Sequence, residues 1–493
     1  MAWLVSLPGA WARVPPEKSM EHYDLICIGS GPAGQRAAIQ AAKLRKKVAV
    51  VEKRLCFGGV CIETGTIPSK TFREAVLSFV SLKAHSQNLG FRAERRPTMG
   101  QLVARVAEVI QLELEVVRDQ LGRNDVELLN GHATLLDPNT VRIEAGDKRR
   151  DVCADQILIA VGTTPCDPPG IAPDGRTIIT SDGVMGLPSL PRTMTVVGGG
   201  VIGVEYASMF AQLGVQVTLV DRRPRPLELM DSEIVDELVH QMRNNFVTFR
   251  GGEAVEAIEI VHDGHRKGVV RLESGKHIVS DVVLYCAGRQ AATAGLGLER
   301  VGVQPDERGR VTVDASFRTA VPSIFAAGDV IGFPALAATS SEQGRLAACH
   351  MFGEEARPMK QHFPIGIYAI PEISMVGATE ETLTKNQVPY ETGVARYREI
   401  ARGQILGDDS GLFKMIFHRD DRRLLGVHCI GSGATELVHV GQAVLALGGG
   451  LDYFLETVFN YPTLAECYKV AAFNAANKLR SASALRQISR TGS

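Results

Sequence analysis

Two stretches of this chain, about 170 residues apart (Gly29 against Gly198), are built on one pattern. Each is a short apolar run, a glycine-rich turn, a helical run and a second apolar run ending in an acidic residue. In the first, Tyr23 to Ile28 leads into GSGPAG (Gly29 to Gly34), an Ala-rich amphipathic stretch follows to about Leu44, and Val48 to Val51 ends at Glu52. In the second, Met194 to Val197 leads into GGGVIG (Gly198 to Gly203), a helical stretch reaches Leu213, and Val215 to Val220 ends at Asp221. The physical reading is a nucleotide site. The glycines let the backbone approach a pyrophosphate, and the free N–H groups and dipole at the helix start favour the anion. The acidic residue accepts hydrogen bonds from a ribose. A single G-x-G-x-x-G reads equally well as a tight strand–helix turn. Two of them, each after a strand and before a helix, predict an α/β chain with two Rossmann-like dinucleotide-binding domains. The candidate sites are Gly29, Gly31, Gly34 and Glu52, and Gly198, Gly200, Gly203 and Asp221.

The remaining pattern sets the organisation. A long helical stretch covers Met99 to Gly122. Two strings, ILIAVGTTP (Ile157 to Pro165) and VVLYCAGRQ (Val282 to Gln290), mark strand ends, and Pro165, Pro168, Pro169 and Pro173 mark a crossover. Beyond Ala348 the nucleotide pattern stops. Phe363 to Leu479 alternates strands (Gly411 to His418, Leu424 to Ile430) with helices (Thr435 to Leu447, Thr463 to Leu479) and reads as a separate α+β domain. The expected division is a disordered extension over 1–19, a first nucleotide domain from 20–165 and 290–360, a second over 166–289, a third over 361–480 and a solvated tail over 481–493. Met20 is a plausible alternative start.

Charge and cysteines narrow the setting. Lys plus Arg number 54 and Asp plus Glu 55, so the whole chain offers no reason to expect nucleic acid or an anionic membrane as partner. No apolar run reaches the ~18–20 residues a span needs. The nine cysteines have no zinc-type spacing, no metal site is expected, and the odd number points to a reducing, cytoplasmic compartment.

Two further strings carry a resemblance. Thr319 to Asp329 reads TAVPSIFAAGD, and Gly58 to Lys70 reads GGVCIETGTIPSK. With the two glycine turns, the chain from about Tyr23 to Leu479 resembles the pyridine nucleotide–disulfide oxidoreductases. The resemblance implies FAD at the first turn, with Asp329 on the ribitol chain, and NAD or NADP at the second. It implies a C-terminal dimerisation domain and a homodimer or larger homo-oligomer. It places Gly58, Gly59, Cys61, Ala133, Gly162 and Gly288 along the cofactor sites. It also puts Lys70 beside the flavin, paired with Glu205 of the second turn's helix. That family carries two cysteines five residues apart on the flavin-proximal helix; here the positions hold Cys61 and Thr66, and one sulfur cannot close a disulfide. Cys56 and Cys61 are also five apart, but Cys56 precedes the glycines, outside the pair's usual place. A second departure agrees. The family's His-Pro-Thr string, whose His serves the partner subunit in thiol chemistry, is Tyr461-Pro462-Thr463 here, and a Tyr with a pKa near ~10 is a poor substitute at neutral pH.

The end of the second unit's strand reads Asp221, Arg222, Arg223, Pro224, Arg225. A carboxylate there suits the ribose of NAD, and arginines suit the 2′-phosphate of NADP. Both are present, with Arg222 and Arg225 expected to supply NADP affinity and Asp221 NAD affinity; a solvated charge cluster is the alternative. Together with GDVIGFPALA (Gly328 to Ala337), the pattern resembles the soluble pyridine nucleotide transhydrogenases. The implied activity is reversible, FAD-dependent hydride transfer between NADPH and NAD+ by a ping-pong route, with Lys70, Glu205, Cys61 and Thr66 at the reacting centre. A diaphorase-like enzyme reducing quinones, or a non-catalytic nucleotide-sensing flavoprotein, are the alternatives.

Overall fold

The structure, a computed structural model, describes residues 20–88, 96–168, 170–360 and 362–491. The extension over 1–19 and Pro169 lie outside the described residues. β1 (Glu21–Ile28), the apolar run before the first turn, is buried on both faces because it is the centre of a mostly parallel sheet. That sheet runs β3 (Glu127–Asn130), β2 (Val48–Glu52), β1, β6 (Lys148–Ile159), β5 (Thr140–Ala145), β4 (His132–Asp137), and β17 (Ile324–Ala326) pairs with β6. β1 runs parallel to β2 and β6, and β17 parallel to β6, so the chain leaves Ile28, Ile159 and Ala326 at one edge. The β4–β5–β6 meander is antiparallel.

The second sheet repeats the plan: β11 (Val247–Gly251), β10 (Gln216–Asp221), β9 (Thr193–Val197), β15 (Val282–Tyr285), β8 (Ile178–Thr180), all parallel. An antiparallel meander, β12 (Val255–Asp263), β13 (His265–Leu272) and β14 (His277–Ser280), has no counterpart in the sequence reading above. β7 (Thr163–Pro165) and β16 (Arg289–Ala291) pair where the chain crosses between the two domains. The third sheet, β18 (Ile365–Ile367), β19 (Ile373–Gly377), β22 (Leu424–Ile430), β21 (Leu412–His418) and β20 (Tyr390–Arg396), is antiparallel, as expected for the α+β domain.

The helices are α1 (Pro32–Lys43), α2 (Gly59–Glu63), α3 (Thr66–Asn88), α4 (Met99–Gly122), α5 (Val201–Gln212), α6 (Ser232–Asn244), α7 (Ala337–Met351), α8 (Glu380–Lys385), α9 (Ala401–Leu406), α10 (Ala434–Ala446), α11 (Leu451–Glu456) and α12 (Glu466–Thr491). α4 starts at a capping box between Thr98 and Gln101 and keeps the expected limits. Within the expected tail over 481–493, α12 continues through Thr491, because no Gly or Pro interrupts the run before Gly492. One apolar cluster joins the three domains, from Phe72 and Val76 of α3 through Tyr206 and Phe210 of α5 to Ile367 and Ile373. The Phe72 and Phe210 rings lie 5.8 Å apart. Among the described residues no helix is long and apolar enough to cross a membrane.

Candidate active site

The first turn is built as its residues demand. Gly29 has φ +105°, a conformation that favours glycine, and a Cβ at Gly34 would collide with the carbonyl oxygen of Gly29. Gly31 caps α1 without any side-chain hydrogen bond, and nothing lies within 4 Å of where its Cβ would be. The start of α1 has no side-chain cap, which leaves its N–H groups for the phosphates of a dinucleotide. Glu52 is buried and accepts from the Ser30 hydroxyl at 2.7 Å and the Ser30 N–H at 3.1 Å. Gly58 donates to Ser30 Oγ at 2.9 Å, and Gly59 packs on Gly31, so the GGVC string starts against the turn.

Asp329 follows β17 at the same sheet edge. It accepts from Ser340 Oγ at 3.1 Å, and burial pushes its carboxyl above the ordinary range. Gly344 of α7 packs on the carbonyl of Ala33, which closes α7 onto α1 beside it. Gly162 (φ +64°) and Gly288 (φ +138°) sit at the two inter-domain crossovers, and Ala133 is buried in β4. The residues thus fit an extended dinucleotide along one sheet edge.

Cys61 and Thr66 lie on two helices, not one. The helix breaks at Thr64 and Gly65, and a Cβ at Gly65 would press on the Val60 carbonyl oxygen. The break still leaves the Thr66 hydroxyl beside the Cys61 thiol. Burial pushes that thiol up; the Thr66 hydrogen bond opposes the rise, and Asp329 and Lys70 act on it from opposite directions. Cys61 and Thr66 are thus side by side, with Lys70 one turn along α3 from Thr66 and the charge of Asp329 within reach of the same thiol. All nine cysteines, Cys56 and Cys61 included, are free thiols.

Lys70 of α3 and Glu205 of α5 meet as the resemblance implied. Lys70 Nζ donates to both Glu205 oxygens, at 2.9 and 2.8 Å, with Glu205 only 4% exposed and Lys70 26%. A half-buried pair between two domains leaves the ammonium reachable while the carboxylate is locked.

The second turn repeats the first: Gly198 has φ +111°, Gly200 caps α5 with open space around its Cβ position, and Gly203 packs on Gly198. The strand end differs from the reading above. Asp221 accepts from Arg223 N, Nε and Nη2 at 2.8, 2.9 and 2.8 Å, and from the N–H of Gly199. Burial raises its carboxyl, but these bonds outweigh burial and hold it below the ordinary value. Arg225 pairs with Asp236 at 2.8 Å, while Arg222 is exposed and makes no ion pair among the described residues. Arg223, absent from the sequence-based site, is thus the partner of Asp221; its i, i+2 spacing around the strand end was the available clue.

Tyr461 is 66% exposed, and Glu466, three residues past Thr463, holds a buried Oε2 without a hydrogen-bond partner among the described residues. The carboxylates of Asp231, Glu233 and Glu380 converge elsewhere, but Lys414 Nζ bonds to all three, so an ammonium fills the place a metal would take.

Comparison with known proteins agrees with this geometry. The pyridine nucleotide–disulphide oxidoreductase family matches residues 23–344, and its dimerisation domain matches residues 363–472. The chain is 50% identical over 471 residues to a soluble pyridine nucleotide transhydrogenase of Mycobacterium bovis, covering 95% of this chain and 100% of that one. It is 41% identical over 462 residues to the enzyme of that name from Marinobacter nauticus, covering 93% and 99%. Among solved structures it resembles LpdA of Mycobacterium tuberculosis (TM-score 0.84, 26% identity, 92% and 99% covered). It also resembles the HOCl-induced flavoprotein disulfide reductase RclA of Escherichia coli (TM-score 0.82, 26% identity, 91% and 99% covered). With two glycine turns, a Lys–Glu pair between them and relatives this close over nearly the whole chain, the protein is an oxidoreductase of the pyridine nucleotide–disulphide oxidoreductase family and belongs, within it, to the soluble pyridine nucleotide transhydrogenases.

Proposed function

We propose that the chain binds one FAD at the first turn and transfers hydride reversibly between NADPH and NAD+ by a ping-pong route, without a redox-active disulfide. The carrying observation is the locus of Cys61, Thr66 and Lys70, where a hydroxyl replaces the second thiol while the Lys70–Glu205 pair is kept. FAD, when bound, supplies the two-electron chemistry, taking hydride from one nicotinamide and giving it to another. The residues that would hold it are the Gly29–Gly34 turn, Glu52, Gly58, Gly59 and Asp329, with Ala133 and Gly162 along its length.

The protein's own part is binding and electrostatics. Lys70 keeps a fixed positive charge at the reacting end, and Glu205 keeps the ammonium oriented. Cys61, its thiol pushed up by burial, acts as a small neutral side chain. At the second turn Asp221 and Arg222 serve the adenosine ribose of NAD and the 2′-phosphate of NADP in turn, and Gly288 lies at the domain crossover. NADP+ must leave before NAD+ enters, because one second site serves both. The domain division given above, a cytoplasmic setting and a homodimer complete the reading. Exposed Val458, Tyr461 and Phe473 of the third domain support the dimer, since a second copy would cover them.

The test is anaerobic reduction of the holoenzyme, followed by NAD+. Two electrons per chain and rapid reoxidation by NAD+ are expected. Uptake of four electrons would reveal a working dithiol and overturn the proposal, and slow reoxidation by NAD+ beside fast reoxidation by a quinone would move the enzyme to the diaphorase class.

A further inference from the structure

The Lys70–Glu205 pair is completed by a residue of the third domain. The segment just after β18 runs between α3 and α5 and is tied to both. Tyr368 N–H donates to Glu205 Oε1 at 2.9 Å, and Ile370 N–H donates to Ser208 Oγ at 3.0 Å. Arg73 of α3 donates from Nε to the Ala369 carbonyl at 3.0 Å and pairs through Nη2 with Glu372 at 3.1 Å. The Tyr368 ring then lies under the cation: Lys70 Nζ sits 5.0 Å from the ring centroid, and Arg73 Cζ 6.0 Å. Among the described residues the Tyr368 hydroxyl has no hydrogen-bond partner, so the ring and the backbone N–H are what the residue contributes.

We infer that Tyr368 is a positioning residue for Lys70. Its N–H holds the carboxylate that orients the ammonium, and its ring face holds the ammonium directly. The remaining donors of Lys70 go to the two Glu205 oxygens and to Ser69 Oγ at 3.3 Å. An ammonium attracted to the negative face of a ring loses freedom to swing toward solvent. The third domain thereby sets where the positive charge stands at the locus shared with Cys61 and Asp329. Because three neighbouring residues anchor the segment independently, changing the ring leaves the backbone in place. The inference rests on the flavin reading of that locus, and it is independent of which acceptor takes the electrons.

The experiment uses the holoenzyme and reads FAD content, melting temperature, flavin midpoint potential and the rate of flavin reduction by NADPH. Tyr368→Phe keeps the ring and the N–H and is expected to match the parent in all four. Tyr368→Leu is expected to keep FAD content, to slow flavin reduction about three- to tenfold and to move the potential to more negative values. In a Lys70→Met background the Leu change is expected to add nothing. Ring-fluorinated phenylalanine at position 368 keeps the shape while draining the ring face of negative charge, and it carries the test if the Leu variant does not fold. An unchanged potential and rate in both, or an equal effect without Lys70, would overturn the inference. A parent chain that binds no FAD would bring down the flavin reading itself, and this inference with it.

Discussion

The two glycine turns are nearly superimposable in logic and differ at one place. Each opens with a glycine at positive φ (+105° at Gly29, +111° at Gly198), each leaves its middle glycine free, and each packs its last glycine against its first. At the first turn the strand-end carboxylate, Glu52, is bonded inward to the hydroxyl and N–H of Ser30. At the second, Asp221 is bonded to the guanidinium of Arg223, two residues on, and Arg222 stands beside it with no ion pair among the described residues. A carboxylate held by neutral donors keeps its full charge toward the ligand. One neutralised by an arginine does not, and the repulsion that would exclude a 2′-phosphate is largely removed. Under the proposed function, the first turn holds one ligand and the second exchanges two.

The largest test of that comparison is to damage each turn alone. Gly34→Ala and Gly203→Ala each place a Cβ against a carbonyl oxygen that cannot move, at a cost of ~3 kcal/mol or more. Gly34→Ala is expected to abolish the 450 nm flavin absorbance. Gly203→Ala is expected to keep the flavin and lose nicotinamide binding in a titration. Loss of both ligands in both variants would show that the turns are not separate sites.

Next in size is the strand end. Arg222→Ala is expected to raise KM for NADPH by roughly 10- to 150-fold, from ~1.5–3 kcal/mol for a charge-assisted bond, while KM for NADH changes little. Arg223→Ala unmasks Asp221 and is expected to shift the NADPH-to-NADH preference toward NADH by about tenfold. Arg225→Ala, whose partner Asp236 competes for it, is expected to cost less. Equal effects on both nucleotides would reduce the arginines to surface charges and make the two strand ends equivalent.

The smallest effect concerns the support of the second turn's domain. Asp231, which caps α6, and Glu233 in its first turn are bonded to buried Lys414 of β21, and His428 of β22 lies opposite Lys414, its Nε2 donating to the Ala378 carbonyl at 2.9 Å. Burial holds His428 below its usual 6.5, against the opposing influence of Asp231. The folded form keeps it neutral and the unfolded chain takes up the proton. Stability is therefore full above about pH 6.5 and falls below it, by up to ~1.4 kcal/mol per pH unit. The melting temperature of the parent is expected to drop between pH 7 and 5, and His428→Gln is expected to flatten that drop. An unchanged slope would place the acid sensitivity elsewhere.

Much of this was legible in the chain. The glycine spacing and flanking apolar runs located both turns, since a strand-to-helix turn around a phosphate needs those residues in that order. The Lys70–Glu205 pair and the Thr66 departure came through resemblance to a family, and the pair is present in the fold. Other features were not legible. The antiparallel meander β12–β14 is mixed in polarity, so only its turn strings, Asp263-Gly264 and Ser274-Gly275, mark it in the chain. The break between α2 and α3 rests on one glycine inside a helical pattern. Tyr368 carries no motif, and its role depends on a domain more than 160 residues away in sequence from Glu205.

The sequence by itself determined the two dinucleotide folds, the α+β third domain and the loss of a second sulfur, because each depends on residues adjacent in the chain or on residue identity. Only the tertiary structure decided which arginine neutralises Asp221, that Cys61 and Thr66 meet across a helix break, and that Tyr368 lies against Lys70. Those outcomes depend on the direction of side chains and the packing of three domains around one ion pair, and distances between residues far apart in the chain are not written in their spacing.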